Sequence, residues 1–205
     1  MTARAVIIAF AAASAILAPA AGALAQASPD PAAVRAGAYK LESSHARVVW
    51  RVNHMGLSEW FGDFSHATGA AHLDPHDPAA NSVEISIPAG SVSTTNGVLD
   101  GELKSSAWFD AAAFPAITFK STAVKIDGPG KAEVLGDLTL HGVTRPVALR
   151  VTFHGAGLNA LSRRYTVGFD ATTSIKRSDF GVKAYLPAIG DDVDIEISAP
   201  FEKQD

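Results

Sequence analysis

Hydrophobic and polar residues alternate with a period of two in segment after segment of this chain, from Tyr39 onward. Val193, Ile195 and Ile197, for example, are separated by single acidic residues. Because successive side chains of a β-strand point to opposite faces, this alternation predicts strands that each bury one face. The pattern recurs around residues 47–53, 83–87, 117–120, 147–154 and 167–173.

Turn-forming residues separate these segments at Gly128-Pro129-Gly130, at Gly142 with Pro146, and at Gly155, Gly157 and Asn159. Short strands at nearly regular spacing, joined by tight turns, favour an antiparallel barrel or sandwich. Eight or nine strands are expected. No internal repeat and no shift in composition divides residues 38–205, which are therefore predicted to form one all-β domain.

Residues 94–110 interrupt the alternation. Leu99 and Leu103 are four residues apart and follow Asn96, a good helix cap, so a short helix is predicted near residues 96–106. Two aromatic clusters accompany this segment: Trp60, Phe61 and Phe64 before it, and Trp108 and Phe109 within its last residues. Either these clusters close one end of a barrel, or they are ordinary core side chains, and the sequence leaves both interpretations open.

The N-terminal region has the layout of a secretory signal peptide. Arg4 precedes an apolar run over residues 5–17, and Ala23-Leu24-Ala25 is typical of a cleavage site. The run is shorter than the roughly 20 residues of a membrane-spanning helix, which favours cleavage after Ala25 over a retained anchor. Residues 1–25 are therefore expected to be removed, and residues 26–37, with Pro29 and Pro31, to form a disordered leader.

Several classes of function find no support in the sequence. The net charge is −4, which gives no electrostatic reason to bind nucleic acid. The chain has no cysteine, and Pro75 places His72 and His76 in a turn instead of on one helical face, so no metal site is expected. No nucleophile elbow, phosphate-binding loop or zinc-protease motif occurs. We therefore expect neither a cofactor nor an enzymatic activity.

Five motifs follow one another in order between residues 39 and 201. They are YKL at 39–41 with SH at 44–45 and the alternating run 48–54; LK at 103–104 with WFD at 108–110, FP at 114–115 and FKS at 119–121; GDLTLHGVTRPV at 136–147; IKRSDFG at 175–181; and GDDV at 190–193. In this order and spacing they resemble the YceI-like lipid- and polyisoprenoid-binding family.

The resemblance implies an extended, antiparallel, eight-stranded β-barrel, similar in shape to lipocalins, with an elongated apolar interior. It also implies a periplasmic, non-enzymatic carrier for a long-chain isoprenoid, quinone-like or fatty amphiphile, without stable membrane insertion and with a possible homodimeric state. A barrel of eight strands is just wide enough to hold one small ligand. Two alternatives remain: an enzyme acting on a lipid or quinone inside the barrel, and a stress-related interaction protein with an exterior apolar patch.

Candidate ligand-binding residues are the aromatic and apolar side chains of the inward faces and of the family-like motifs, together with nearby polar groups. They are Trp50, Val52, His54, Trp60, Phe61, Phe64, Lys104, Trp108, Phe109, Phe119, Leu138, Phe169, Arg177, Asp179 and Phe180. The polar members either surround the barrel mouth and bind a ligand head, or serve the fold. In the second interpretation Arg177 pairs with Asp179 and His45 bonds a backbone carbonyl.

Overall fold

The computed structural model describes residues 27–205, so the predicted signal peptide and its cleavage site lie outside the described residues. The strands are β1 (Gly37–Leu41), β2 (Arg47–His54), β3 (Ser58–Phe64), β4 (Thr68–Leu73), β5 (Ser82–Pro88), β6 (Ala116–Ile126), β7 (Lys131–Leu140), β8 (Val143–Leu158), β9 (Tyr165–Lys176) and β10 (Ile189–Lys203). No helix within residues 27–205 is long and apolar enough to cross a membrane.

The sheet closes on itself as an antiparallel barrel. β10 pairs along one edge with β9, and its other edge pairs first with β2 and then, at Phe201–Lys203, with β1. β1 and β2 are therefore two halves of one barrel strand, and β3 and β4, which pair with them, are two halves of the next. With β5 to β10 this makes eight strands, which confirms the predicted architecture.

The interruption between β1 and β2 is organised by one carboxylate. Glu42 accepts hydrogen bonds from the backbone N–H of Ser44 (3.0 Å) and of His45 (3.2 Å), and from the side chains of both residues. Burial alone would raise the pKa of Glu42, but these hydrogen bonds outweigh it and hold the pKa at about 2. His45 thus bonds a carboxylate, whereas the structural interpretation of this residue had it bond a backbone carbonyl.

Replacing Glu42 with glutamine should lower the free energy of unfolding by about 1 kcal/mol at neutral pH, because the turn loses a charged acceptor. The native carboxylate stabilises the fold only while it is ionised. The difference between the two proteins should therefore be full at neutral pH and shrink as pH falls from the ordinary glutamate range toward 2. Urea unfolding across this pH window measures it. Glu59→Gln, an exposed change in β3, is the control, and a pH-independent difference would contradict the assignment.

The predicted turns are confirmed in part. Residues 127–130 connect β6 to β7, and the two residues His141 and Gly142 connect β7 to β8, but Pro146 lies inside β8. Gly155 and Gly157 also lie inside β8, and the reversal into β9 comes later, at residues 159–164. A Cβ atom on Gly157 would come within 3.1 Å of the Cα atom of Ala27, so these glycines leave room for the N-terminal residues.

Residues 27–36, here called the N-terminal segment, lie against the barrel, whereas the sequence suggested a disordered leader. Ser28 and Ala156 exchange two backbone hydrogen bonds of 2.8 and 2.9 Å. The Tyr165 hydroxyl donates to the carbonyl of Ala33, and the guanidinium of Arg35 lies 4.0 Å from the centre of the Tyr165 ring. A rim of β8 and β9 thus holds the segment in place.

The short helix is confirmed with narrower bounds. α1 (Gly97–Leu103) begins after Asn96, whose side chain accepts from the backbone N–H of Val98 (3.1 Å) and Leu99 (3.3 Å). The loop before α1 is fixed to the free edge of β3, where Ser93 and Asp63 exchange two backbone hydrogen bonds. α1 and its flanking loops therefore cover the barrel beside β3, and Leu103 enters the core.

Candidate ligand-binding cavity

A cavity of about 700 Å³ occupies the barrel interior. Its wall consists mainly of the inward-facing residues of the strands; in β8, for example, Val147, Leu149, Val151 and Phe153 all line it. The volume falls in the range of sites for small molecules. Ile117 and Ile126, both in the wall, are nine residues apart along β6, which corresponds to ~30 Å of strand and, after the usual barrel tilt, to ~20 Å along the axis.

One end of the cavity is open, and we call it the mouth. Wall residues here are accessible: Ile126 is 58% exposed, and His76 and Pro129 are exposed as well. The N-terminal segment contributes Pro31 and Val34 to the wall at this end. The mouth thus lies between the β4–β5 loop, the β6–β7 turn and the N-terminal segment.

The opposite end, here called the floor, is closed. Leu103, Trp108, Val182 and Ile189 line the cavity there, and each of them is buried. Trp108 is 8% exposed, and its Nε1–H donates to the Glu102 carboxylate over 3.3 Å. The segment that follows α1 therefore lies at the closed end of the barrel, where Trp108 both lines the cavity and packs in the hydrophobic core.

Arg177 is the buried charge of the floor. Its Nε–H donates to the carbonyl of Gly190 (2.8 Å), Nη1 to that of Val182 (3.1 Å) and Nη2 to that of Ile189 (2.9 Å). Burial lowers the pKa of Arg177, and the negative charge of Asp191 opposes that shift. The guanidinium carbon lies 5.1 Å from the centre of the Trp108 ring, so the cation also contacts the indole face.

The expected pairing of Arg177 with Asp179 is wrong. Asp179 is exposed, and Arg177 forms no ion pair with it. The carboxylate that fixes this turn is Asp191, which accepts from the backbone N–H of Ser178 (2.9 Å) and from its hydroxyl (2.7 Å). The physical reason is geometric, because the 3₁₀ turn at Arg177–Phe180 directs the arginine inward and the aspartate toward solvent.

Trp50 lies halfway along the wall on β2, on the same face as Val48 and Val52. It is 9% exposed, and its Nε1 has no hydrogen-bond partner among the described residues. Its cross-strand neighbour is Gly62, and a methyl group at that position would overlap the indole ring. The absence of a side chain on Gly62 therefore makes the space in which the indole packs.

The structure brings nine of the fifteen candidate residues together in the cavity wall. They are Trp50, Val52, Phe64, Trp108, Phe109, Phe119, Leu138, Phe169 and Arg177. The wall also contains residues that were not singled out, among them Leu103, Val124, Ile126, Val134 and Val182. Continued alternation along the strands points to Val134, and the predicted helix contains Leu103, whereas no signal in the sequence distinguished Val182.

Six candidates lie outside the wall. Phe61, Lys104 and Asp179 are exposed, and Phe180 is buried in the core but stands behind the lining residues. His54 and Trp60 are half-buried, and their rings contact each other with centres 5.5 Å apart. Phe61 follows Trp60 in β3, and neighbouring residues of a strand point to opposite faces, so both could not face inward.

The titratable side chains of the wall are dispersed. They belong to Arg47, Asp74, His76, Lys131 and Arg177. The Asp74 carboxylate accepts from the backbone N–H of His76 over 2.8 Å, but within residues 27–205 no hydrogen bond or ion pair joins two of these side chains. No group of three or more histidine, aspartate or glutamate side chains in the described part of the chain is placed to hold a metal ion. The arrangement can enclose an apolar molecule and offer it one buried cation.

Several known proteins are similar to this chain in sequence or in fold. The model of the YceI-like domain matches residues 39–201. Protein YceI of Escherichia coli is 38% identical over 168 residues, covering 81% of this chain and 87% of that protein. A UPF0312 protein of Pseudomonas putida is 36% identical over 171 residues, covering 82% and 88%.

Two solved structures extend the comparison. BcnA of Burkholderia cenocepacia superposes with a TM-score of 0.71 at 26% identity and covers 78% of this chain and 98% of its own. A polyisoprenoid-binding domain from Saccharophagus degradans shares the fold, with a TM-score of 0.63 at 16% identity and coverages of 81% and 98%. By its sequence and its closed eight-stranded barrel, this chain belongs to the family of YceI-like domains.

Proposed function

We propose that the protein is a non-enzymatic carrier that holds a long-chain isoprenoid-type or other fatty amphiphile inside its barrel. The observation that carries this proposal is the cavity of about 700 Å³, apolar along its length, open at the mouth and closed at the floor. The polyisoprenoid-binding domain of the same fold supports the choice of ligand class. The signal-peptide pattern of residues 1–25 supports a periplasmic location.

The energetics of such a cavity suit reversible transport. Burying a methylene group gains about 0.8 kcal/mol relative to water, so a chain of ten or more carbons is held by several kcal/mol. A bilayer offers nearly the same gain, because its interior is equally apolar. Transfer between membrane and barrel is then close to neutral in free energy, and the carrier can release what it takes up.

Arg177 gives the closed end of the cavity a polar group that a ligand can contact. A guanidinium has five N–H donors, and backbone carbonyls accept from three different nitrogens of Arg177, so donors are left for a ligand oxygen. The nine wall residues named above would contact the ligand, with the apolar ones along its chain. A hydroxyl, carbonyl or phosphate oxygen at the leading end would meet the buried cation.

Native mass spectrometry of the protein purified gently from its own host tests this proposal. The folded protein should carry one amphiphile, and organic extraction should release a molecule with a long apolar chain and an oxygen at one end. After extraction the protein should take up solanesol, a long polyprenol, from detergent micelles. The proposal would be contradicted if the protein carries no ligand when purified and also takes up no solanesol from the micelles.

A further inference from the structure

The loop between β8 and β9, at residues 159–164, carries large apolar side chains into solvent. Leu161 is 94% exposed, and Leu158, at the end of β8, is 51% exposed. Single exposed leucines are common on protein surfaces and need no explanation. These two lie three residues apart at the tip of one hairpin. Together, Leu158 and the loop of residues 159–164 are called the leucine tip.

The leucine tip stands beside the cavity mouth. β7 begins at Lys131, opposite Thr152, so β8 continues for six residues beyond the β6–β7 turn before it reaches Leu158. The N-terminal segment, which contributes Pro31 and Val34 to the cavity wall, packs on this extension through Ser28 and on Tyr165 of β9 through Ala33. The tip therefore projects past the open end of the barrel, not past the floor.

The charge of the leucine tip differs from that of the whole chain. Residues 155–169 contain Arg163 and Arg164 and no acidic residue, although the chain as a whole carries −4. Arg164 lies 3.5 Å from Glu202, whereas Arg163 is exposed and forms no ion pair within the described residues. Of the carboxylates around the mouth, Asp74, Asp77 and Asp127 are on the other two loops of the rim, and Asp30 belongs to the N-terminal segment.

Exposed leucines next to arginines are the composition with which proteins bind the surface of an anionic bilayer. The apolar side chains enter the interface, while the guanidinium groups remain at the level of the phosphates. We propose that the leucine tip docks on an anionic lipid bilayer and so brings the cavity mouth against the membrane. The proposal rests on the proposed function, because only a membrane-dissolved ligand makes this contact useful.

A binding and transfer experiment tests the docking. Vesicles of phosphatidylglycerol and phosphatidylcholine in equal parts, loaded with solanesol, are mixed with ligand-free protein, and both the vesicle-bound fraction and the solanesol taken up are measured. Leu161→Glu should lower both about tenfold, since one leucine no longer enters the interface and a like charge faces the lipids. Uptake from detergent micelles, which needs no docking, should be unchanged.

Leu57→Glu is the matched control. Leu57 is 84% exposed in the turn between β2 and β3, at the floor end of the barrel, so the change is chemically the same at the opposite pole. Its binding and transfer should equal those of the native protein. If Leu57→Glu loses vesicle binding and Leu161→Glu keeps it, or if neither changes it, docking by the leucine tip is overturned. If solanesol fails to load from micelles in every variant, the carrier function is wrong, while vesicle binding still decides the docking.

Discussion

Replacing Arg177 with alanine should lower the free energy of unfolding by about 3–5 kcal/mol, as the loss of a well-bonded buried ion does. Three backbone carbonyls, of Val182, Ile189 and Gly190, would lose their donor at once in the closed floor of the barrel. Water has little access there, so the carbonyls would stay unsatisfied. Chemical denaturation monitored by tryptophan fluorescence and by circular dichroism measures the loss.

Two further variants make this expectation specific. Arg177→Lys keeps the charge but cannot reproduce three bonds from a planar group, so it should recover only part of the stability. Arg150→Ala, an exposed change in β8 without a hydrogen bond to the side chain among the described residues, should fall within about 0.5 kcal/mol of the native protein. If Arg177→Ala is as stable as Arg150→Ala, the arginine does not hold the floor together.

Replacing Trp50 with alanine should lower the free energy of unfolding by about 3–5 kcal/mol, the usual cost of truncating a buried tryptophan. The indole lies over Gly62 of β3, and β2 is paired on its other edge with β10. Strands that are paired on both edges cannot move into the space that the missing indole would leave. Trp108→Ala should cost less, because Trp108 belongs to a loop that can move inward and fill part of its own cavity. It should instead weaken ligand retention, since the floor is then loosened.

Melting temperature and ligand occupancy, measured together on both variants, separate the two roles. Occupancy is read by native mass spectrometry after the proteins have been loaded with solanesol. Trp108→Ala should melt above Trp50→Ala and yet lose more of its ligand per folded molecule. A Trp108→Ala protein that unfolds as readily as Trp50→Ala, while its folded fraction keeps solanesol, would make Trp108 an ordinary core residue.

Alternation in the sequence predicts the barrel well because a strand has only two faces. Trp50 and Val52 line the cavity as the alternation requires, and Phe119 and Phe169 do so in β6 and β9. The prediction fails at β-bulges, because one extra residue in the strand exchanges the inward-facing and outward-facing positions beyond it. Such a shift between Ser121 and Ala123 turns Val124 and Ile126 inward.

Features of the site that depend on distant parts of the chain could not be predicted. The N-terminal segment has the composition of a disordered leader, and it is ordered by a notch at Gly155 and Gly157 and by Tyr165, far away in sequence. The role of Arg177 is likewise set by carbonyls of residues 182–190, which no side-chain pattern encodes. Local charge suggested Asp179 as a partner, but the inward direction of the arginine comes from the tertiary fold.

The most direct test of the account fills the barrel and asks whether binding stops. Ala171 in β9 lines the cavity between Val151 and Ile197, and the next residue, Thr172, faces solvent between Arg150 and Glu196. Ala171→Phe places a ring in the space that the ligand would occupy, whereas Thr172→Phe adds the same ring outside. Solanesol loading is measured by native mass spectrometry once the two variants have been shown to have equal melting temperatures. It should fall at least about tenfold for Ala171→Phe and stay unchanged for Thr172→Phe. Equal loading of the two variants would contradict a ligand held inside the barrel.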